Sequence, residues 1–387
     1  MKKYLFIPLF LLCFNAFAGF EAIGTSLSSA TQFDGFCQQD NGDWEACADT
    51  NAALPGYYNS LFYSEATQES VAFGFYDNDQ GNSSFIAACK TRGENNWRNC
   101  TPDAAQIPVG DYDEYIRPAH DGNGNFMVVG DGENNSLIAA CRNADGGWYN
   151  CSPTQNTEGF AVETLNYTNG QWITLSRNDD WVDGYTIIPA LCMDNKNLHT
   201  NSWQNCDISV LYSDIDGSFN GSSLKGIQYV PASQEWIGLH LGYLNGRSGL
   251  YLRSFCRKDN ESIWADCTPD IFPSNRAVNF IQNAQGELLV INHVLTGISL
   301  KTQILCKKPN TGWRECGENI NLKNQIYLGA TINAQGKWVL IGNDVATNYS
   351  ENFSYLTAVK EDDDFWKVTR QQPIDSSSML MDIVFIP

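Results

Sequence analysis

Beyond its first eighteen residues this 387-residue chain has no long apolar run, and nothing in it approaches the roughly 20 apolar residues that a membrane-spanning helix needs. Basic side chains are scarce, with 24 Lys and Arg against 44 Asp and Glu, a formal net charge of −20. So acidic a surface repels nucleic acid and anionic lipid, which argues against both as partners. Histidine is rarer still: His120, His199, His240 and His293 stand at no zinc-ligand spacing. A Gly-x-Ser-x-Gly nucleophile elbow and a glycine-rich phosphate loop are both missing, and the few glycine clusters sit where hairpin turns are expected. What remains for chemistry is carboxylates, amides and aromatic rings.

The first residues form a unit of their own. Met1-Lys2-Lys3 is followed by an apolar run from Tyr4 to Phe14 and by Ala16-Phe17-Ala18, the pattern of a secretory signal cleaved before Gly19. About 11 apolar residues interrupted by Pro8 are too few to cross a bilayer. Residues 1–18 are therefore expected to be a signal peptide and residues 19–387 the folded protein. Cleavage removes Cys13 and leaves 12 cysteines, an even number in a chain bound for an oxidising compartment, the periplasm or the medium. The short Lys-Lys signal on an Asn-rich chain reads as bacterial.

Those cysteines are periodic. Cys37-QQDNGD-Trp44-EA-Cys47, Cys89-KTRGENN-Trp97-RN-Cys100 and Cys141-RNADGG-Trp148-YN-Cys151 share one plan, repeated by Cys192, Trp203 and Cys206, by Cys256, Trp264 and Cys267, and by Cys306, Trp313 and Cys316. A seventh copy, Lys360-EDDDF-Trp366-KV, keeps the tryptophan without the cysteines. The Trp-to-Trp steps of 53, 51, 55, 61, 49 and 53 residues match propeller blades rather than short solenoid repeats. Each cysteine pair is expected to bridge strands three and four of its own repeat, closing a short loop for roughly 3 kcal/mol of stability.

Within a period the chain resolves into four strands. In the third repeat these are Tyr115-IRP, Phe126-MVVG, Ser136-LIAACR and Trp148-YNC, with Asp121-GNGN turning the first into the second. Strand two recurs as Phe20-EAIG, Val71-AFGF, Trp172-ITLS, Trp236-IGLH, Leu288-LVIN and Trp338-VLIG. The first copy has no strand one before it, whereas Met379-LMDIVFIP at the other end has no strand two after it. The expectation is an all-β, seven-bladed propeller of four-stranded antiparallel blades, closed by the C-terminal strand completing the first blade, with six intra-blade disulfides.

The turn in Cys141-RNADGGW resembles the Asp-box hairpin of sialidase-like bacterial propellers, whose usual form is Ser-x-Asp-x-Gly-x-x-Trp. Cys stands here in place of Ser, and the Asp and Gly survive around Asp40 and Gly42 and around Asp145 and Gly146. Gly336-KWVLIG is similar to the strand-two phrase of the same class. Such hairpins lie on the blade periphery, so the resemblance implies fold and carries no catalytic residue. A sialidase would also need an Arg-Ile-Pro motif and clustered arginines. This chain has Tyr115-Ile116-Arg117-Pro118 in inverted order, with Arg117, Arg177 and Arg247 on different repeats.

Loops joining strand two to three, and strand four to the next blade, share one face and are the longer ones, so ligand contacts are expected there. Of the eleven tryptophans, seven close hairpins and three begin second strands, leaving Trp181 without a repeat role. With Asp179, Asp180, Asp183 and Arg177 it forms the leading candidate site, joined by Tyr243, Arg247, Asp131 and His293 from neighbouring loops. A flat ring beside polar groups suits a sugar or a clamped peptide. No cofactor is expected, although Asp77 with Asp79 and Asp214 with Asp216 are carboxylate pairs of the kind calcium takes. The resulting expectation is a monomeric, exported, non-enzymatic module binding a glycan or an envelope protein. The alternative is a glycoside hydrolase or lyase using carboxylates and arginines on that face. Trp181→Ala should weaken ligand binding without moving the melting temperature; a large loss of stability in a thermal melt would instead mark the ring as packing.

Overall fold

The computed structural model describes residues 19–26, 33–38, 43–47, 54, 56–77, 83–94, 96–103, 107–108, 110–112, 118–176, 180–182, 185–206, 210–213, 219–244, 249–261, 264–267, 272–296, 299–317, 320, 325–345, 353–361, 365–371 and 378–387. The expected signal peptide lies outside them. Seven antiparallel sheets follow one another, each with four strands in blade order; blade four admits an inserted hairpin between its second and third strands, blade five carries an extra strand, Phe272–Ser274, against its third, and the first sheet alone draws on both ends of the chain. In that sheet Gly19–Ser26, Phe33–Gln38 and Trp44–Ala46 are completed by Ser378–Ile386 from the far end of the chain. Gly19 pairs with Ile386 and Ser26 with Ser378, so the ring closes as its repeats predict. Numbering blades by their hairpin tryptophans, Trp44 belongs to blade one and Trp366 to blade seven.

A propeller blade buries both faces, and the apolar clusters show how. Each one draws on two consecutive blades: Val71, Phe73, Phe85 and Cys89 of blade two meet Tyr112, Phe126, Val128 and Ala140 of blade three, and Ala22, Trp44 and Ile383 of blade one meet Val339, Ile341 and Tyr355 of blade seven. The core is thus a ring of sheet-on-sheet contacts. Hairpin tryptophans lock these contacts by donating to the preceding blade. The Nε1 of Trp148 reaches the Cys100 carbonyl at 3.0 Å, that of Trp203 the Cys151 carbonyl at 2.7 Å, and that of Trp366 the Cys316 carbonyl at 2.6 Å. A buried indole N–H needs such a partner; Trp44 and Trp313 also find one in the preceding blade, at Thr357 and Ser254, whereas the indoles of Trp97 and Trp264 are buried without one among the described residues.

A second repeated device was not apparent from spacing alone. The residue opposite each hairpin tryptophan is basic in several blades, and it pairs with a glutamate opening strand two of the blade before. Lys90 meets Glu21, Arg142 meets Glu69 at 2.7 Å, Lys307 meets Glu235 at 3.4 Å and Lys360 meets Glu287 at 2.8 Å. Burial pushes the Glu69 carboxyl up, but hydrogen bonds from Arg142 and Arg98 outweigh it and hold the group below its ordinary range.

All six cysteine pairs bridge within their repeats, from Cys37–Cys47 to Cys306–Cys316. Bridges of this number belong to an extracytoplasmic protein. Blade seven has none, but its fourth strand Trp366–Gln371 is six residues long where the bridged blades use two or three. The extension brings Gln371 to blade one, where its side chain accepts from the Trp44 N–H at 2.7 Å and donates to the Trp44 carbonyl at 2.8 Å. Ladder and amide bracket do there what a disulfide does elsewhere.

In blade three the described inner strand is Ala119–His120, and the expected strand Tyr115-IRP lies, but for Pro118, outside the described residues, Arg117 with it. One local expectation changes. Trp181 does not sit in an irregular loop. Asp180–Val182 pairs with Tyr185–Ile188, which pairs with Val210–Ser213, forming a small three-stranded sheet that grows from both long connections of blade four. The β-branched and aromatic residues of Tyr185–Ile188 and Val210–Ser213 favour strands, but their pairing crosses a repeat boundary that periodicity does not link.

Two stability tests follow from this packing. Arg142→Met leaves Glu69 buried with only the half-exposed Arg98 as partner, and urea unfolding should register a loss of about 3 kcal/mol; an unchanged midpoint would mean that the clasp contributes nothing. His240 is fully buried in blade five, and burial, reinforced by the positive charges of Arg253 and Lys225, lowers its pKa to about 3. The unfolded chain therefore binds a proton near pH 6.5 that the folded chain refuses. Stability conferred by the neutral ring is complete above that pH and is lost as pH falls toward 3. Thermal melts should show this decline between pH 6.5 and 4, and His240→Asn should flatten it.

Candidate axial site

The inner strand of each blade presents one unpaired edge to the axis. Side chains from all seven inner strands or their flanking turns enclose a cavity of about 890 Å³. Most of the lining comes from the later halves of these strands, Leu61 to Tyr63, Asn279 to Gln282 and Asp382 to Phe385 among them, with Glu65 and Gly122 from the turns into strand two; blade four lines it along nearly its whole inner strand, Glu163 to Tyr167. The cavity thus occupies the short-turn half of the ring, away from the long loops.

Six inner strands carry an extra residue against their partner along the axis, and that of blade five has a second register shift between Asn220 and Ser223. The register shifts between Tyr58 and Ser60, Val162 and Thr164, Leu224 and Gly226, Ala277 and Asn279, and Tyr327 and Gly329. In blade one Ile23 faces Asp382 while Gly24 faces Leu380. The extra residues are Asn59, Glu163, Lys225, Val278, Leu328 and Met381. Such bulges free backbone groups from the ladder and re-aim side chains. Neighbouring blades satisfy the freed groups: Asp382 Oδ2 accepts from the Leu61 N–H at 3.0 Å, Asn279 Nδ2 donates to the Leu328 carbonyl at 2.8 Å, and Asn343 brackets Leu380 through both its N–H and its carbonyl at 3.0 Å.

Two bulged residues form the polar heart of the cavity. Lys225 Nζ lies 2.6 Å from Glu163 Oε1, joining blades four and five, and the lysine stays about a third exposed. Beside Lys225, Gly226 has no Cβ for a reason: one placed there would stand 2.8 Å from the Phe280 ring of blade six and 3.4 Å from Asn166 Oδ1 of blade four. Glycine therefore leaves Phe280 and Asn166 room to close in on the backbone next to Lys225. In blade three, next to the blade of Glu163, the His120 ring packs 4.8 Å from Phe62 of blade two. The surrounding walls lower its pKa against the opposing charge of Asp121, so the open ring is neutral at pH 7. Tyr63, Tyr167 and Phe385 complete the aromatic lining.

No family model matches this chain, and no curated protein matches it. Its likeness is to solved propellers. A candidate 6-phosphogluconolactonase from Bacteroides uniformis aligns over 96% of this chain and 100% of its own, at 10% identity and a TM-score of 0.52. An ulvan lyase, of polysaccharide lyase family PL25 and bound to a GlcA(1-4)Rha3S saccharide, aligns over 92% of this chain and 95% of its own, at 10% identity and a TM-score of 0.51. Identity this low establishes the shared fold alone.

Of the nine residues singled out from the sequence, the three whose side chains are described, Asp131, Tyr243 and His293, do not line the axial cavity. Arg177, Asp179, Asp183 and Arg247 lie outside the described residues, while Asp180 and Trp181 are placed by their backbone in the small sheet of blade four. Asp131 works between blades, its Oδ1 accepting from the Val162 N–H at 2.7 Å. His293 is buried, with Nε2 at 2.9 Å from the Tyr327 carbonyl beside a bulge. Tyr243 is half-exposed near the end of Glu235–Leu244. For calcium, Asp79, Asp214 and Asp216 lie outside the described residues, and among the described residues no three His, Cys, Asp or Glu gather to hold a metal. Loop length drew attention to one end of the ring; the cavity depends on bulges that no spacing reveals.

Proposed function

We propose that this protein is an exported, non-enzymatic recognition module that binds a saccharide in its axial cavity. One observation carries the reading: aromatic rings, amides and a solvent-reachable ion pair from several blades line a single preformed cavity of a size that suits a small ligand. Rings stack on the apolar faces of pyranoses while amides and charged groups serve their hydroxyls. Disulfides and inter-blade clasps hold these groups rigid, which lowers the ordering cost of binding. The polysaccharide-bound lyase of like fold supports a saccharide ligand only as a precedent for the architecture.

A hydrolase or lyase at the same place is the second reading, and His120 favours it, because a neutral imidazole open to a cavity is a competent base. The two separate in one experiment. The oxidised protein, screened on a glycan array and then titrated calorimetrically with the best oligosaccharide, should bind without releasing products on overnight incubation. Phe280→Ala should weaken that binding about tenfold, the upper range for a stacked ring. Turnover abolished by His120→Ala would establish the enzyme, and silence across the array would remove the saccharide reading.

A further inference from the structure

We infer that the cavity selects uncharged saccharides bearing vicinal hydroxyls, and that the bulged pair Glu163 and Lys225, with Asn166 and Phe280, is the recognition element. The inference rests on the saccharide reading above and adds ligand class and residues to it. Bulging is the first support. It takes Glu163 and Lys225 out of the ladder register in adjacent blades and brings them together in the cavity at 2.6 Å. A pair with so exposed a lysine adds little to stability, about 0 to 1 kcal/mol. Its chemistry, however, matches a diol: the carboxylate accepts from one hydroxyl while the ammonium donates to its neighbour, and the amide of Asn166 can do either.

Charge supplies the second support. The lining holds three carboxylates, Glu65, Glu163 and Asp382, and one ammonium, Lys225, which is already engaged by Glu163. A uronate or sulfate entering here would have to displace Glu163 from Lys225 against the like charge of three carboxylates, within a protein whose net charge is −20. A neutral sugar meets no such repulsion. Phe280, drawn in against Gly226, supplies the flat apolar partner for the ring face.

The test uses the oxidised mature protein and three probe sets: neutral gluco-, manno- and galacto-oligosaccharides, uronate oligosaccharides and sulfated oligosaccharides. Neutral probes should bind at least tenfold tighter than either anionic set at 150 mM salt, and Glu163→Gln and Lys225→Met should each weaken the best neutral probe about tenfold or more. Gly226→Ala displaces the Phe280 ring with both charges intact and should weaken the same probe. Circular dichroism melts within a few degrees of the parent establish that each variant is folded. Tighter binding of an anionic probe, abolished by Lys225→Met, would overturn the selectivity while leaving the saccharide reading standing. Neutral binding unmoved in all three folded variants would overturn the assignment of residues. A protein that binds no probe of any set loses both readings together.

Discussion

The pairing of Gly19–Ser26 with Ser378–Ile386 is the contact on which every other depends. No blade has a core of its own, because the apolar side chains of each sheet are covered only by the sheets on either side. An open row of seven would leave two apolar faces and an unpaired edge in water. Joining the ends covers both faces and makes the seventh interface equivalent to the others. The cavity exists only because the ring is closed, since blade one contributes its share of the lining through Asp382 to Phe385.

From rim to axis, each layer meets a different physical demand. At the rim the fourth strands are too short to hold by hydrogen bonds alone, and disulfides secure them; blade seven manages with a longer strand and the Gln371 bracket. Between blades, tryptophan N–H groups and buried Lys–Glu or Arg–Glu pairs fix the register of one sheet against the next. A buried pair is a weak source of net stability but penalises misplacement heavily, because a slipped blade strands both charges. At the axis, where the sheets converge, an unbroken strand would leave no room for polar side chains to turn inward. Bulges solve that problem and put charged residues where a plain ladder would not.

The division has a functional consequence. Side chains that hold the ring together and side chains that line its axis are largely different residues, so the lining can vary without loss of the fold. That separation explains why propellers of about 10% identity superpose over nearly their whole length while their shared architecture says nothing of a common ligand. Asp382 is an exception, since it lines the cavity and also caps the Leu61 N–H of the neighbouring blade.

The covalent and aromatic framework was legible in the linear chain, because cysteine, tryptophan and turn glycine each carry a local constraint that repeats with the blade. Pairing within repeats, the blade count and the closing strand all follow from that periodicity, since a circle must return its last strand to its first. The clasp was half visible, as Lys90, Arg142 and Lys307 directly follow a cysteine, but their partners Glu21, Glu69 and Glu235 lie a whole blade earlier. The cavity was not visible at all. A bulge is a mismatch between two strands and leaves no mark on either one, so Glu163 and Lys225 read as ordinary surface charges until the sheets are paired. Tertiary structure alone decided which side chains face the axis, because that depends on register across strands and distance across blades, and neither quantity exists along a single chain.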